Sequence, residues 1–217
     1  MTKARRTVLS IAVTLTLLAA VSRSAEAGPP LICHPFDAGT AALLPWGAGP
    51  GWNTPDRAYD VARLTSDVLD LLTADLPILA RMENLRRATI YAARDPQAAA
   101  ALLDALVERT RAGGGESRDP LAWFDAGYLV ESYRQARGIA RTDMLSGPER
   151  SLWSRWTEPS PDGYAWVGKA IALAGASPEM EFAASLMKTG TVSAEHRRRA
   201  EAGVRAGTLL AKNLDRE

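Results

Sequence analysis

Along residues 120–137 the apolar side chains do not gather on one side of a helical wheel. At 100° per residue, Leu121, Phe124 and Tyr128 point one way, while Trp123, Ala126, Val130 and Tyr133 point another. A helix that is apolar on two sides is buried between neighbours. Asp119 before Pro120 is a helix start: the carboxylate accepts a first-turn amide and the proline ring presets φ. The pattern predicts a central helix from Pro120 to about Arg137 in an all-α fold.

The same opening device recurs at Thr54-Pro55, Asp95-Pro96, Ser160-Pro161 and Ser177-Pro178. From Pro55 onward, Val61, Leu64, Val68 and Leu71 share one face, and Asp56, Asp60, Arg63, Asp67 and Asp70 the other. A second helix, Pro77 to Arg94, turns Ile78, Met82, Leu85 and Thr89 inward. A third, from Pro96 to about Arg111, turns Ala99, Leu102, Leu106 and Thr110 inward and ends at Gly113-Gly114-Gly115. Ser146 and Glu149 fit a capping box for a short helix carrying Leu152, Trp153 and Trp156. Helices over Asp162–Ala174, Pro178–Lys188 and Ala194–Leu214 follow. The last carries Ala200, Gly203, Gly207 and Ala211, a small-residue stripe suited to close approach. No segment sustains the period-2 alternation of a half-buried strand, so no sheet is expected.

Trp123-x-x-Ala126-Gly127-x-x-Val130 is echoed 41 residues later by Tyr164-x-x-Val167-Gly168-x-x-Ile171. This pattern resembles the first helix of a tetratricopeptide repeat, whose period is about 34 residues. The resemblance covers two eight-residue stretches, and the later Ala, Phe and Pro positions of that repeat are not matched. It implies antiparallel helical hairpins stacked as a short solenoid, each glycine admitting a neighbouring helix. The residue pattern also allows an irregular bundle.

The chain begins with the anatomy of a secretory signal peptide: basic Lys3, Arg5 and Arg6, an apolar run from Val8 to Val21, and Ala25-Glu26-Ala27 as cleavage site. Residues 1–27 are read as that signal, cut after Ala27, and the protein as secreted or periplasmic. The run is shorter and less apolar than the ~20 residues that span a bilayer, and no later segment qualifies. Residues 28–53 form a strap broken by Pro29, Pro30, Pro35, Pro45 and Pro50 and by Gly39, Gly47, Gly49 and Gly51. Leu31, Ile32, Phe36, Leu43, Leu44, Trp46 and Trp52 make it too apolar for a free tail. The strap is expected to lie over a single helical domain, residues 54–217, with one short helix at 37–44.

Charge and composition narrow the function. Removing Lys3, Arg5, Arg6 and Arg23 together with Glu26 turns the formal charge of +1 into −2. A nearly neutral chain has no global field to gather nucleic acid. Its one cysteine cannot form an internal disulfide.

Cys33-His34 pairs two good ligands for copper or zinc and is the candidate metal pair; the only other histidine is His196. Trp46 and Trp52, separated by three glycines, are candidate ligand-binding residues of a lid, or pins for the strap. Glu131-Ser132 is similar to the catalytic pair of lytic transglycosylases but lacks their Gly-Leu-Met-Gln stretch. The aspartates after Pro55 and the run Glu195-His196-Arg197-Arg198-Arg199 read as solvated faces. His-Glu-x-x-His, Gly-x-Ser-x-Gly and dinucleotide fingerprints are absent from the sequence, so no catalytic residue and no cofactor is assigned. The expected function is a helical module that binds or scaffolds a protein or peptide. The alternative is a small-molecule or metal binder with Cys33, His34, Trp46 and Trp52 under the strap.

Overall fold

The computed structural model describes residues 30–49, 51–111, 115–140 and 162–215. Among them are nine α-helices, one 3-10 turn and no strand. None of the helices is long and apolar enough to cross a membrane. In order they are α1 (Pro30–Cys33), a 3-10 turn (Val61–Arg63), α2 (Leu64–Leu71), α3 (Ile78–Ala92), α4 (Pro96–Arg109) and α5 (Pro120–Ala140). There follow α6 (Gly163–Ala174), α7 (Pro178–Ser185), α8 (Gly190–Gly203) and α9 (Leu209–Leu214).

The centre is as the wheel of α5 requires. Every residue from Ala122 to Tyr133 is buried, with Phe124 and Val130 wholly so. The Asp119 carboxylate accepts from Leu121 N–H at 2.9 Å, and Asp95 and Ser177 cap α4 and α7 as their prolines predicted. The α5–α6 crossing is tight because two glycines meet: a Cβ on Gly127 would lie 2.6 Å from the Gly163 carbonyl, and one on Gly163 would lie 2.5 Å from the Gly127 carbonyl. Gly168, the predicted counterpart of Gly127, faces open space instead.

A second helix is as deeply buried as α5. From Leu79 to Ala92, α3 is inside the protein at every position except half-buried Arg87, whereas Ile78, predicted inward, is only half-buried. The buried set includes Arg81, Glu83, Asn84 and Arg86. Burying ions without partners would be prohibitive, so their partners decide the fold. Glu83 receives Arg86 at 2.8 Å and Arg87 at 2.7 Å. Most of the remaining hydrogen-bonding capacity goes to the strap.

That use corrects two expected helices. Residues 37–44 are not helical. Amides in and just before this stretch are committed elsewhere: Phe36 N–H donates to Glu83 Oε2 at 3.0 Å, Asp37 N–H to Asn213 Oδ1 at 2.8 Å and Leu44 N–H to Asn84 Oδ1 at 2.8 Å. A backbone bonded sideways to core side chains cannot close i→i−4 bonds. The helix expected from Pro55 begins only at Leu64. Asp56 and Asp60 accept from Ala58 and Ala62 N–H, the local turns with which aspartate competes against helix. Val61 and Leu71 are consequently half-buried, and Leu64, Val68 and Leu72 carry the inner face.

The C-terminal helix is also two helices. It starts at Gly190, stops at Gly203 and resumes at Leu209, with Gly207 at φ 79° and Thr208 capping the restart through Ala211 N–H. Of the two glycines in the small stripe, Gly203 makes a close approach, against Pro178, and Gly207 meets nothing; Ala200 is wholly buried. α7 ends at Ser185, short of Lys188. The signal segment, Gly113, Gly114, the Ser160-Pro161 start and the capping-box helix with Leu152, Trp153 and Trp156 lie outside the described residues.

Candidate functional site

The strap carries Cys33, His34, Trp46 and Trp52, the metal and ligand candidates of the sequence. Cys33 is half-buried, and burial pushes its thiol up to about 11 against the pull of Arg86. A thiol so placed carries little thiolate, the form that ligates metals and reacts. His34 beside it is half-buried. Among the described residues no group of three or more His, Cys, Asp or Glu side chains is placed to hold a metal ion. Trp46 lies against the guanidinium groups of Arg86 and Arg87, at 5.0 and 5.4 Å, and edge-on to Tyr91. Trp52 gives its carbonyl to Arg86 Nη1 at 3.0 Å, which also binds the Ile32 carbonyl at 3.1 Å. Asn84 Nδ2 donates to Ala42 O at 3.1 Å, and Tyr91 O–H to Pro45 O at 2.6 Å. The side chains of α3 thus bind the strap through its backbone.

A different arrangement lies where α4 ends and α5 and α6 begin. An open groove of about 770 Å³ is lined by Val107, Thr110, Arg111, Trp123, Trp166 and Lys169, with Gly115, Glu116 and Ala165 at its edge. Trp123 is fixed by its Nε1–H, which donates to Ser117 O at 2.8 Å. Trp166 stands at 81° to it, centroids 5.6 Å apart. Lys169, one turn beyond Trp166, places Nζ 3.7 Å from the centre of the Trp123 ring and 2.5 Å from Glu116 Oε2. The floor is apolar and the rim charged, the composition of a ligand cleft. The wheel of α5 places Trp123 in the core, and no motif marks Trp166 or Lys169. Their i, i+3 spacing was the available signal.

A third cluster joins three helices. Tyr164 Oη on α6 lies 2.8 Å from His196 Nε2 on α8, and His196 Nδ1 lies 2.5 Å from Glu181 Oε2 on α7. His196 therefore belongs to a half-buried chain of carboxylate, imidazole and phenol and not to a solvated face. Desolvation raises the Tyr164 phenol, with Arg199 opposing. Such a chain can pass a proton, but neither the groove nor a smaller cavity of about 390 Å³ beside Lys188 and Arg197 is lined by Tyr164 or His196. Glu131, of the Glu131-Ser132 pair, is buried; it binds Arg134 and accepts from Tyr164 N–H at 2.9 Å.

Comparison with known proteins finds no matching family model, no matching curated protein and no matching solved structure.

Proposed function

We propose that this chain is an exported helical protein that binds a peptide or protein segment in the groove over Trp123 and Trp166. The observation that carries the reading is the groove itself: room for several side chains, a floor of two indoles fixed at a right angle, and ions at the rim. Tryptophan and arginine are the side chains on which binding energy concentrates, and Arg111 is exposed at this rim. The opposed register of α5 and α6, with Trp123 against Trp166 and Gly127 against Gly163, supports one antiparallel helical pair, while the open space at Gly168 does not extend it into a tetratricopeptide-like repeat. The rival site under the strap is disfavoured because Trp46 and the backbone around Trp52 are already bound to α3.

The test is selection of a displayed peptide library on the chain lacking residues 1–27, followed by fluorescence titration. Selected peptides are expected to bind Trp166→Ala at least about tenfold more weakly and Trp46→Phe as well as the unsubstituted chain. Peptides that ignore Trp166→Ala, or no enrichment at all, would overturn the reading. Export is tested separately by N-terminal sequencing of the secreted product, expected to begin at Gly28.

A further inference from the structure

The groove already holds a ligand of its own making. Lys169 Nζ sits over the face of Trp123 at 3.7 Å, the Trp166 ring stands at 81° to that of Trp123, and the Glu116 carboxylate touches the ammonium at 2.5 Å. Ring faces carry the negative part of the aromatic quadrupole, so they attract a cation and repel an anion. The Trp123 face and the Glu116 carboxylate meet the ammonium, and the Trp166 ring flanks Trp123 nearly at a right angle.

How firmly Lys169 is held follows from the same contacts. Glu116 is 75 % exposed and Lys169 31 % exposed, so their ion pair is solvated and weak. A primary ammonium has three N–H donors, and among the described residues Glu116 is its one hydrogen-bonded partner. Lying on a ring face costs it hydration. A methylated ammonium has fewer N–H groups to strip of water, and none if quaternary, so it suits the ring faces better.

We propose that Trp123, Trp166 and Glu116 form an ammonium-binding cage, with Lys169 as its internal plug, and that the ligand entering the groove presents a methylated or quaternary ammonium. The proposal rests on the groove reading and names the chemistry of the group that enters it. Lys169 competes at the high effective concentration of a tethered group, so removing it exposes the cage.

The experiment is fluorescence titration of Lys169→Ala, and of Lys169→Ser as a second variant, with tetramethylammonium chloride. Choline and a trimethyl-lysine peptide are run in parallel to separate a small molecule from a modified chain. Saturable binding at least about tenfold tighter than to the unsubstituted protein is expected, lost on adding Trp166→Leu and weakened by Glu116→Gln. The neutral isostere 3,3-dimethylbutan-1-ol is expected not to compete. No saturable response in either lysine variant, or equal binding of the neutral isostere, would overturn the cage. Cage binding without any peptide selection would refute the peptide reading alone. Peptide binding that tetramethylammonium does not displace would refute the cage alone.

Discussion

Trp46 and Trp123 both lie against cations, yet the cations are held in opposite ways. Around Trp46 the Arg86 guanidinium is wholly buried, salt-bridged to Glu83 and bonded to the carbonyls of Ile32 and Trp52. Arg87 binds Glu83 and the Leu44 carbonyl. Around Trp123 the Lys169 ammonium has, among the described residues, one carboxylate, and that carboxylate is mostly in water. The chemistry is the same, but the number of buried bonds differs. Where many bonds converge, the contact is part of the fold. Where a single solvated pair holds the cation, the site can exchange its occupant.

The sharpest way to break this comparison is to remove each cation. Arg86→Ala leaves Glu83 buried with one arginine fewer and two strap carbonyls unpaired. It is expected to cost about 3–5 kcal/mol in urea unfolding, whereas Lys169→Ala should cost under about 1 kcal/mol. Similar costs for the two would erase the distinction.

The next effect concerns a buried ion outside both regions. Asp125 is wholly buried, bound to Arg81 at 2.7 Å and 3.4 Å from Arg109, with Oδ1 unpartnered among the described residues. Burial pushes its carboxyl up to about 6 despite the two arginines. The folded state therefore keeps this proton after the unfolded chain has lost it near 3.9. The Asp125 contribution to stability is present below about 4, is lost as pH rises through about 6, and is flat above that. The stability difference between the unsubstituted chain and Asp125→Asn should fall across that window by at most about 3 kcal/mol. A difference that rises with pH there would show the arginines overcoming burial.

Smaller effects separate the two glycines that looked alike. Gly127→Ala forces a methyl into the Gly163 carbonyl and should cost about 1–3 kcal/mol. Gly168→Ala meets nothing and should raise stability by about 0.5–1 kcal/mol, since alanine is the better helix former. Thermal melts of the two variants should move in opposite directions.

Local signals in the chain carried much of the helical framework. Aspartate or serine before proline marked the starts of α4, α5 and α7, and the two-sided apolar pattern of α5 marked its burial. What failed to read through was long-range. Glu83, Asn84, Arg86 and Arg87 form a polar run inside α3, and a polar run in isolation is indistinguishable from a solvated face. Its burial depends on a strap some 40 residues away whose amides supply the partners. The same absence of local signal misplaced the helix at 37–44. The Tyr164–His196–Glu181 chain was invisible because its members come from three helices. The groove was missed because Trp123 is both core and floor: it is 5 % exposed, and the side chains that make it a site lie on α6 and the loop before α5.

Whether the strap is a fixed part of the core or a lid is decided most directly by native-state hydrogen exchange at two amides. Phe36 N–H and Leu44 N–H donate to the buried side chains of Glu83 and Asn84. If the strap is fixed, both should exchange only through global unfolding, with the same free energy as the amides in the middle of α5. Exchange of Phe36 and Leu44 at the rate of exposed loop amides would mean that the strap opens on its own, and would return the functional site to the residues beneath it.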